Sequence, residues 1–145
     1  MSSQKEKITL YTDGGSRGNP GKSAVGVYVE TLEKRWSKYL GVKTNNEAEY
    51  EAVIFAFKKL KQLLGANKAK AATLDFKLDS DLVVQQLSGR FKIMEEKLKP
   101  LFIDIWNLRQ DFKGATFVHV PREENSVADS LVNQELDNQQ GELFD

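Results

Sequence analysis

The 145-residue chain has no cysteine, which excludes disulfides, zinc–thiolate sites and thiol nucleophiles. Its single histidine, His119, cannot build a histidine-rich metal centre. It also lacks a net charge: 21 Lys and Arg balance 21 Asp and Glu, whereas nucleic-acid binders usually carry a basic excess. A local basic face can still hide behind a cluster of acids. Lys58, Lys59, Lys61, Lys68 and Lys70 form one basic group and Lys92, Lys97 and Lys99 a second; the plain alternative for each is a solvated helix face. No apolar run approaches the roughly 18 residues that span a bilayer. The opening MSSQKEK has no apolar signal-peptide core. A cytoplasmic protein without membrane contact is the expectation.

What is present is ordinary for one globular domain. Hydrophobic residues make up 40% and charged residues 29%, enough for a sizeable core at this length. We expect an N-terminal extension over 1–6, one domain over 7–137 and a flexible polar tail over 138–145.

Local patterns predict strands at 7–13, 24–30, 34–42, 72–78 and 115–120. Helices are predicted at 44–64, 80–88, 94–112 and 124–137. Thr44 or Asn45 can cap the first, whose apolar stripe is Ala52, Val53, Ala56, Leu60 and Leu63. Pro100 belongs near a first turn, so the regular part of the third helix begins close to it. Residues 14–23 read as turn. The order is that of an α/β fold, a mixed sheet with helices packed on it.

One motif is a decoy. Ser16 to Ser23 reads SRGNPGKS, with serine where a phosphate loop needs its first glycine. A strand pattern follows it instead of the required helix. The segment reads as a glycine-rich turn whose N–H groups could also approach a nucleic-acid backbone.

Four carboxylates carry the chemistry: Asp13 in YTDGGSRGNPG, Glu49 in TNNEAEY, Asp79 in KLDSDLV and Asp129 in REENSVADSLVN. Each sits where an element meets a turn. Glu49 precedes Ala52, Val53 and Ala56 by three, four and seven residues, so it heads the buried stripe; Glu47 and Glu51 do not. A carboxylate there is costly unless it is paired or binds a metal. Singly, each acid could be a cap or turn residue. Jointly, on one sheet edge, they suit Mg²⁺, which prefers oxygen ligands, and a paired-ion site for phosphodiester hydrolysis.

These four motifs, in this order and spacing, resemble those of the type 1 ribonuclease H family over residues 7–137. The resemblance implies a five-stranded mixed sheet flanked by helices. It also implies endonucleolytic cleavage of the RNA strand of RNA/DNA hybrids, leaving 5′-phosphate and 3′-hydroxyl ends. Asp13, Glu49, Asp79 and Asp129 correspond to the metal-binding carboxylates, with Asp13 bridging two Mg²⁺ ions that Mn²⁺ could replace. Gly14, Ser16, Asn19, Thr44, Asn45, Asn46 and Ser80 correspond to substrate-contacting positions; helix capping is the alternative for Asn45 and Asn46.

Departures from the family also carry expectations. GRFKIMEEKLKP, from Gly89 to Pro100, is too short for the basic protrusion that some members use to grip DNA. No hybrid-binding module precedes residue 7, which implies weak affinity and low processivity in a monomer. No histidine lies in VPREEN, so Arg122 is the residue placed to reach a departing phosphate, and His119 reads as structural. Double-stranded RNA and RNA–DNA junctions are further candidate substrates. The alternative is a catalytically silent nucleic-acid-binding module, which would be free to lose a carboxylate. Gln140, Leu143 and Phe144 resemble the Q-x-x-L-F peptide that docks on the bacterial sliding clamp; the other reading folds Leu143 and Phe144 onto the domain.

Overall fold

The computed structural model describes the backbone of residues 6–144 and the side chains of residues 6–139. The elements are β1 (Glu6–Gly18), β2 (Gly21–Val29), β3 (Lys34–Lys43), α1 (Asn45–Ala71), β4 (Ala72–Leu78), α2 (Asp81–Leu87), α3 (Leu98–Arg109) and β5 (Gly114–His119). A 3₁₀ turn (Arg122–Asn125) then leads into α4 (Ser126–Phe144). The strands form one sheet in the order β3-β2-β1-β4-β5. β1, β2 and β3 pair antiparallel, while β4 runs parallel to both β1 and β5. This is the expected five-stranded mixed sheet.

Strand alternation decides which helix meets which face. Ile8 and Leu10 of β1, Leu74, Phe76 and Leu78 of β4 and Val27 and Val29 of β2 are buried in one cluster with Tyr50, Val53, Phe57 and Leu60 of α1. Ala24 of β2 packs instead with Val132 and Leu136 of α4. Two glycines set the helices close. A Cβ on Gly14 would lie 2.1 Å from the Ala48 carbonyl oxygen of α1, and one on Gly26 would lie 2.3 Å from the Ala128 oxygen of α4. Among the described residues, no helix is long and apolar enough to cross a membrane.

The expected elements all form, but several edges move. Residues 14–18 and 21–23 are strand, not turn, because β1 stays paired with β2 as far as Gly18 and Gly21. Glycine's low strand propensity hides this, and pairing overrides it. α1 continues to Ala71 through a break at Gly65, whose φ is 81°. Leu63 leaves the core at 47% exposed; the helical period passes from Leu60 to Leu64, which packs against the cluster. α3 starts at Leu98, which puts Pro100 in its first turn. α4 runs on to Phe144 instead of stopping at 137. The side chains of Gln140, Leu143 and Phe144 lie outside the described residues.

Candidate active site

β1 outruns β4. The last β1–β4 pair is Tyr11 with Lys77, so beyond Tyr11 that edge of β1 is open. Asp13 sits on this open stretch, and Asp79 follows the final residue of β4. Two parallel strands therefore deliver two carboxylates to a crevice at their carboxyl ends, where ligands bind in open α/β sheets.

The other two acids come from helices. Thr44 caps α1 through a capping box, its Oγ1 accepting from the Glu47 N–H while Glu47 bonds the Thr44 N–H. That fixes the direction of the first turns, and the Gly14 contact fixes their distance from β1. Glu49 is buried there, and its Oε1 accepts from the Gly14 N–H at 2.8 Å. Asp129 lies in the first turn of α4 and lines the same cleft as Asp13. Ligand atoms of Asp13, Glu49 and Asp79 all lie within 4.8 Å of one another.

Such crowding has an electrostatic signature. Asp13 is held far above the ordinary carboxylate range, first by burial and then by the charges of Glu49, Asp79 and Asp129. Glu49 is raised by burial and by Asp79; the Gly14 N–H and the Arg122 charge pull partly the other way. Arg122 Nε lies 3.7 Å from Asp79 Oδ2, but its side chain is 86% exposed, so its compensation is weak. The buried acids lack positive charge, and a divalent cation with oxygen preference would supply it.

Around the acids lies a cleft lined by Gly14, Ser16, Asn45, Asn46, Ser80 and Arg122, all residues expected from sequence. Ser16 N–H donates to Asn45 Oδ1 at 3.0 Å. Asn46 Nδ2 donates to Glu95 at 2.8 Å, so of Thr44, Asn45 and Asn46 it is Thr44 whose side chain caps the helix. Ser80 caps α2 through the Val83 N–H. Asn19 and Thr44 brace the cleft without lining it: Asn19 Oδ1 accepts from the Asn45 N–H at 3.0 Å. His119 is exposed at the end of β5 and is absent from the lining.

Three supports were not anticipated. Asn125 is fully buried and donates to the Thr12 carbonyl at 3.0 Å, tying the turn that carries Arg122 to the residue before Asp13. Its position four residues ahead of Asp129 is the available hint. Tyr50 Oη donates to Gln86 Oε1 at 2.6 Å, linking α1 beside Glu49 to α2 beyond Asp79. Arg17 also lines the cleft; its spacing of four from Asp13 along an alternating strand would have placed it there.

A family model described as reverse transcriptase-like matches residues 12–135. The bifunctional protein Rv2228c of Mycobacterium tuberculosis is 35% identical over 136 residues, covering 90% of this chain and 36% of that protein. The chain thus spans about a third of that relative's length. Ribonuclease HI of Halobacterium salinarum is 33% identical over 135 residues, covering 90% of this chain and 65% of that protein. The solved structure of LC11-RNase H1 with an RNA/DNA hybrid matches with a TM-score of 0.85 at 38% identity, covering 92% of this chain and 99% of that one. By this family match and these similarities, which span most of its length, the chain belongs to the type 1 ribonuclease H family, within the reverse transcriptase-like group.

Proposed function

We propose that the chain is a divalent-metal-dependent endonuclease that hydrolyses the RNA strand of RNA/DNA hybrids. The observation that carries this reading is the convergence of Asp13, Glu49 and Asp79 within 4.8 Å, with Asp129 on the wall of the same cleft. These four residues would hold two ions, Mg²⁺ by preference and Mn²⁺ in its place. Bound there, such ions supply an activated water and charge for the leaving 3′-oxygen.

The chain's own groups do the rest. The Gly14 N–H holds Glu49 in one orientation. Asn45 uses its Oδ1 on Ser16, which leaves its Nδ2 as the group able to donate outward. In our reading Gly14, Ser16, Asn45 and Asn46 face the minor groove and read 2′-hydroxyls, which distinguish RNA from DNA. Asn19 and Thr44 hold that wall in place, and Ser80 meets the backbone beside Asp79. Cleavage of the P–O3′ bond would leave a 5′-phosphate and a 3′-hydroxyl. We read the enzyme as a monomer. The test compares strand-labelled hybrid, double-stranded RNA and an RNA–DNA junction. Cuts in the RNA of the hybrid are expected; cleavage of the DNA strand, or of none of the substrates, would refute the reading. Cutting of the other two substrates would widen it.

Arg122 has the placement for product release, exposed at the rim and close to Asp79. Arg122→Ala should lower steady-state turnover roughly three- to tenfold and single-turnover cleavage by less. Equal losses in both would assign it to positioning instead.

For Gln140, Leu143 and Phe144 we propose docking on a bacterial sliding clamp, on the strength of their sequence. Leu143 and Phe144 would fill an apolar pocket while Gln140 sets the register. Such tethering raises the local concentration of a weakly binding enzyme near its substrate. Calorimetric titration against a clamp should show binding at tens of micromolar or tighter, lost when Leu143 and Phe144 are both changed to Ala. No binding by the parent would end the idea.

A further inference from the structure

Arg17 stands in the cleft without a role in the reaction as described. Along β1, Asp13, Gly15 and Arg17 share the face turned to α4. Asp13 and Asp129 line the same cleft, and a Cβ on Gly15 would touch Val132 at 3.2 Å. Arg17 Nη2 reaches the Asn133 carbonyl at 3.5 Å and Asp137 Oδ1 at 2.7 Å. One seam between β1 and α4 therefore runs from the carboxylates to Arg17, on the order of 13 Å of strand.

Charge gives this seam a purpose. Among the described residues, those lining the cleft include Asp13, Glu49, Asp79 and Asp129 but only two cations, Arg17 and Arg122. A nucleic acid entering such a cleft needs cations flanking the acids, and Arg122 serves only one side. The Arg17 and Asp137 side chains are 41% and 67% exposed. An ion pair that open holds little, whereas a phosphate can take guanidinium N–H donors two at a time.

We propose that Arg17 binds a backbone phosphate of the substrate and that Asp137 competes with the nucleic acid for it. This rests on the hybrid-cleaving reading above. The interaction acts on binding more than on the chemical step, because Arg17 is remote from the reacting bond.

The test is steady-state kinetics on a short RNA/DNA hybrid over a series of KCl concentrations. Arg17→Ala should raise KM about three- to tenfold with a smaller change in kcat. It should also flatten the dependence of log KM on log salt by about 0.9, one phosphate contact. Asp137→Asn should lower KM about twofold or more, and that gain should vanish in the Arg17→Ala background. If the parent cuts hybrid but Arg17→Ala keeps the parental KM and salt slope, this inference alone falls. Asp137→Asn raising KM would likewise overturn it. A parent that cuts no hybrid would remove the underlying reading and this inference with it.

Discussion

Asp13→Asn will slow hybrid cleavage by more than about a hundredfold and will also make the metal-free protein more stable. The first effect follows from the position of Asp13, which shares a cleft with Asp129 and lies within 4.8 Å of Glu49 and Asp79. An amide there offers a cation no charge. The second follows from linkage. The folded Asp13 carboxyl titrates far above its ordinary value, so the native state holds a proton that the unfolded chain releases. Stability from this group is full below about pH 4 and is lost progressively as pH rises toward the folded value of about 9. Asn removes that penalty. Melting of the metal-free proteins should show the variant ahead by at least about 3 °C at pH 8 and by much less near pH 4. A gain that is equal at both pH values would mean that packing, not charge, is responsible.

Gly14→Ala should damage both stability and activity. Its new Cβ would fall 2.1 Å from the Ala48 carbonyl oxygen and 2.5 Å from the Glu49 nitrogen. Neither is the movable end of a side chain, so the first turns of α1 must shift. Overpacking of this kind costs about 1–3 kcal/mol, or roughly 5 °C of melting temperature at this size. The same shift breaks the Gly14–Glu49 hydrogen bond and moves Glu49 from Asp13, so cleavage should fall at least about tenfold. Gly114→Ala is the control, since nothing lies within 4 Å of its added Cβ; it should leave melting and cleavage near parental values. Parental activity in Gly14→Ala would show that α1 can retreat without disturbing the acids.

Much of this site could be read before the fold was known, for identifiable reasons. Asp13 and Asp79 close alternating strand patterns in the sequence, although β1 itself runs on to Gly18, and Glu49 heads a helical stripe; each position conflicts with the usual placement of a carboxylate, and conflict is legible in one dimension. The strand Ala72–Leu78, with its β-branched and aromatic residues, is read from sequence at its observed bounds, while the other strands shift at one or both ends. The glycine-rich end of β1 was not, because its strand character comes from pairing with β2. Leu63 was misplaced because a small error in phase grows along a long helix. Asn125 and Tyr50 escaped notice because their partners, Thr12 and Gln86, lie 113 and 36 residues away in sequence. The capping roles considered for Asn45 and Asn46 went to Thr44, and both side chains were claimed by residues that only the fold brings near: Ser16 for Asn45 and Glu95 for Asn46.

The central claim is that four acids from two strands and two helices form one cation-dependent RNA-cleaving centre. Its most direct test is cleavage of a hybrid carrying a labelled RNA strand, with Mg²⁺ titrated from zero in the presence of a chelator. No cutting is expected without the ion, with restoration as Mg²⁺ rises and fragments ending in 3′-hydroxyl with 5′-phosphate on the downstream piece. Cleavage that persists under chelation, or products carrying a 2′,3′-cyclic phosphate, would contradict the claim.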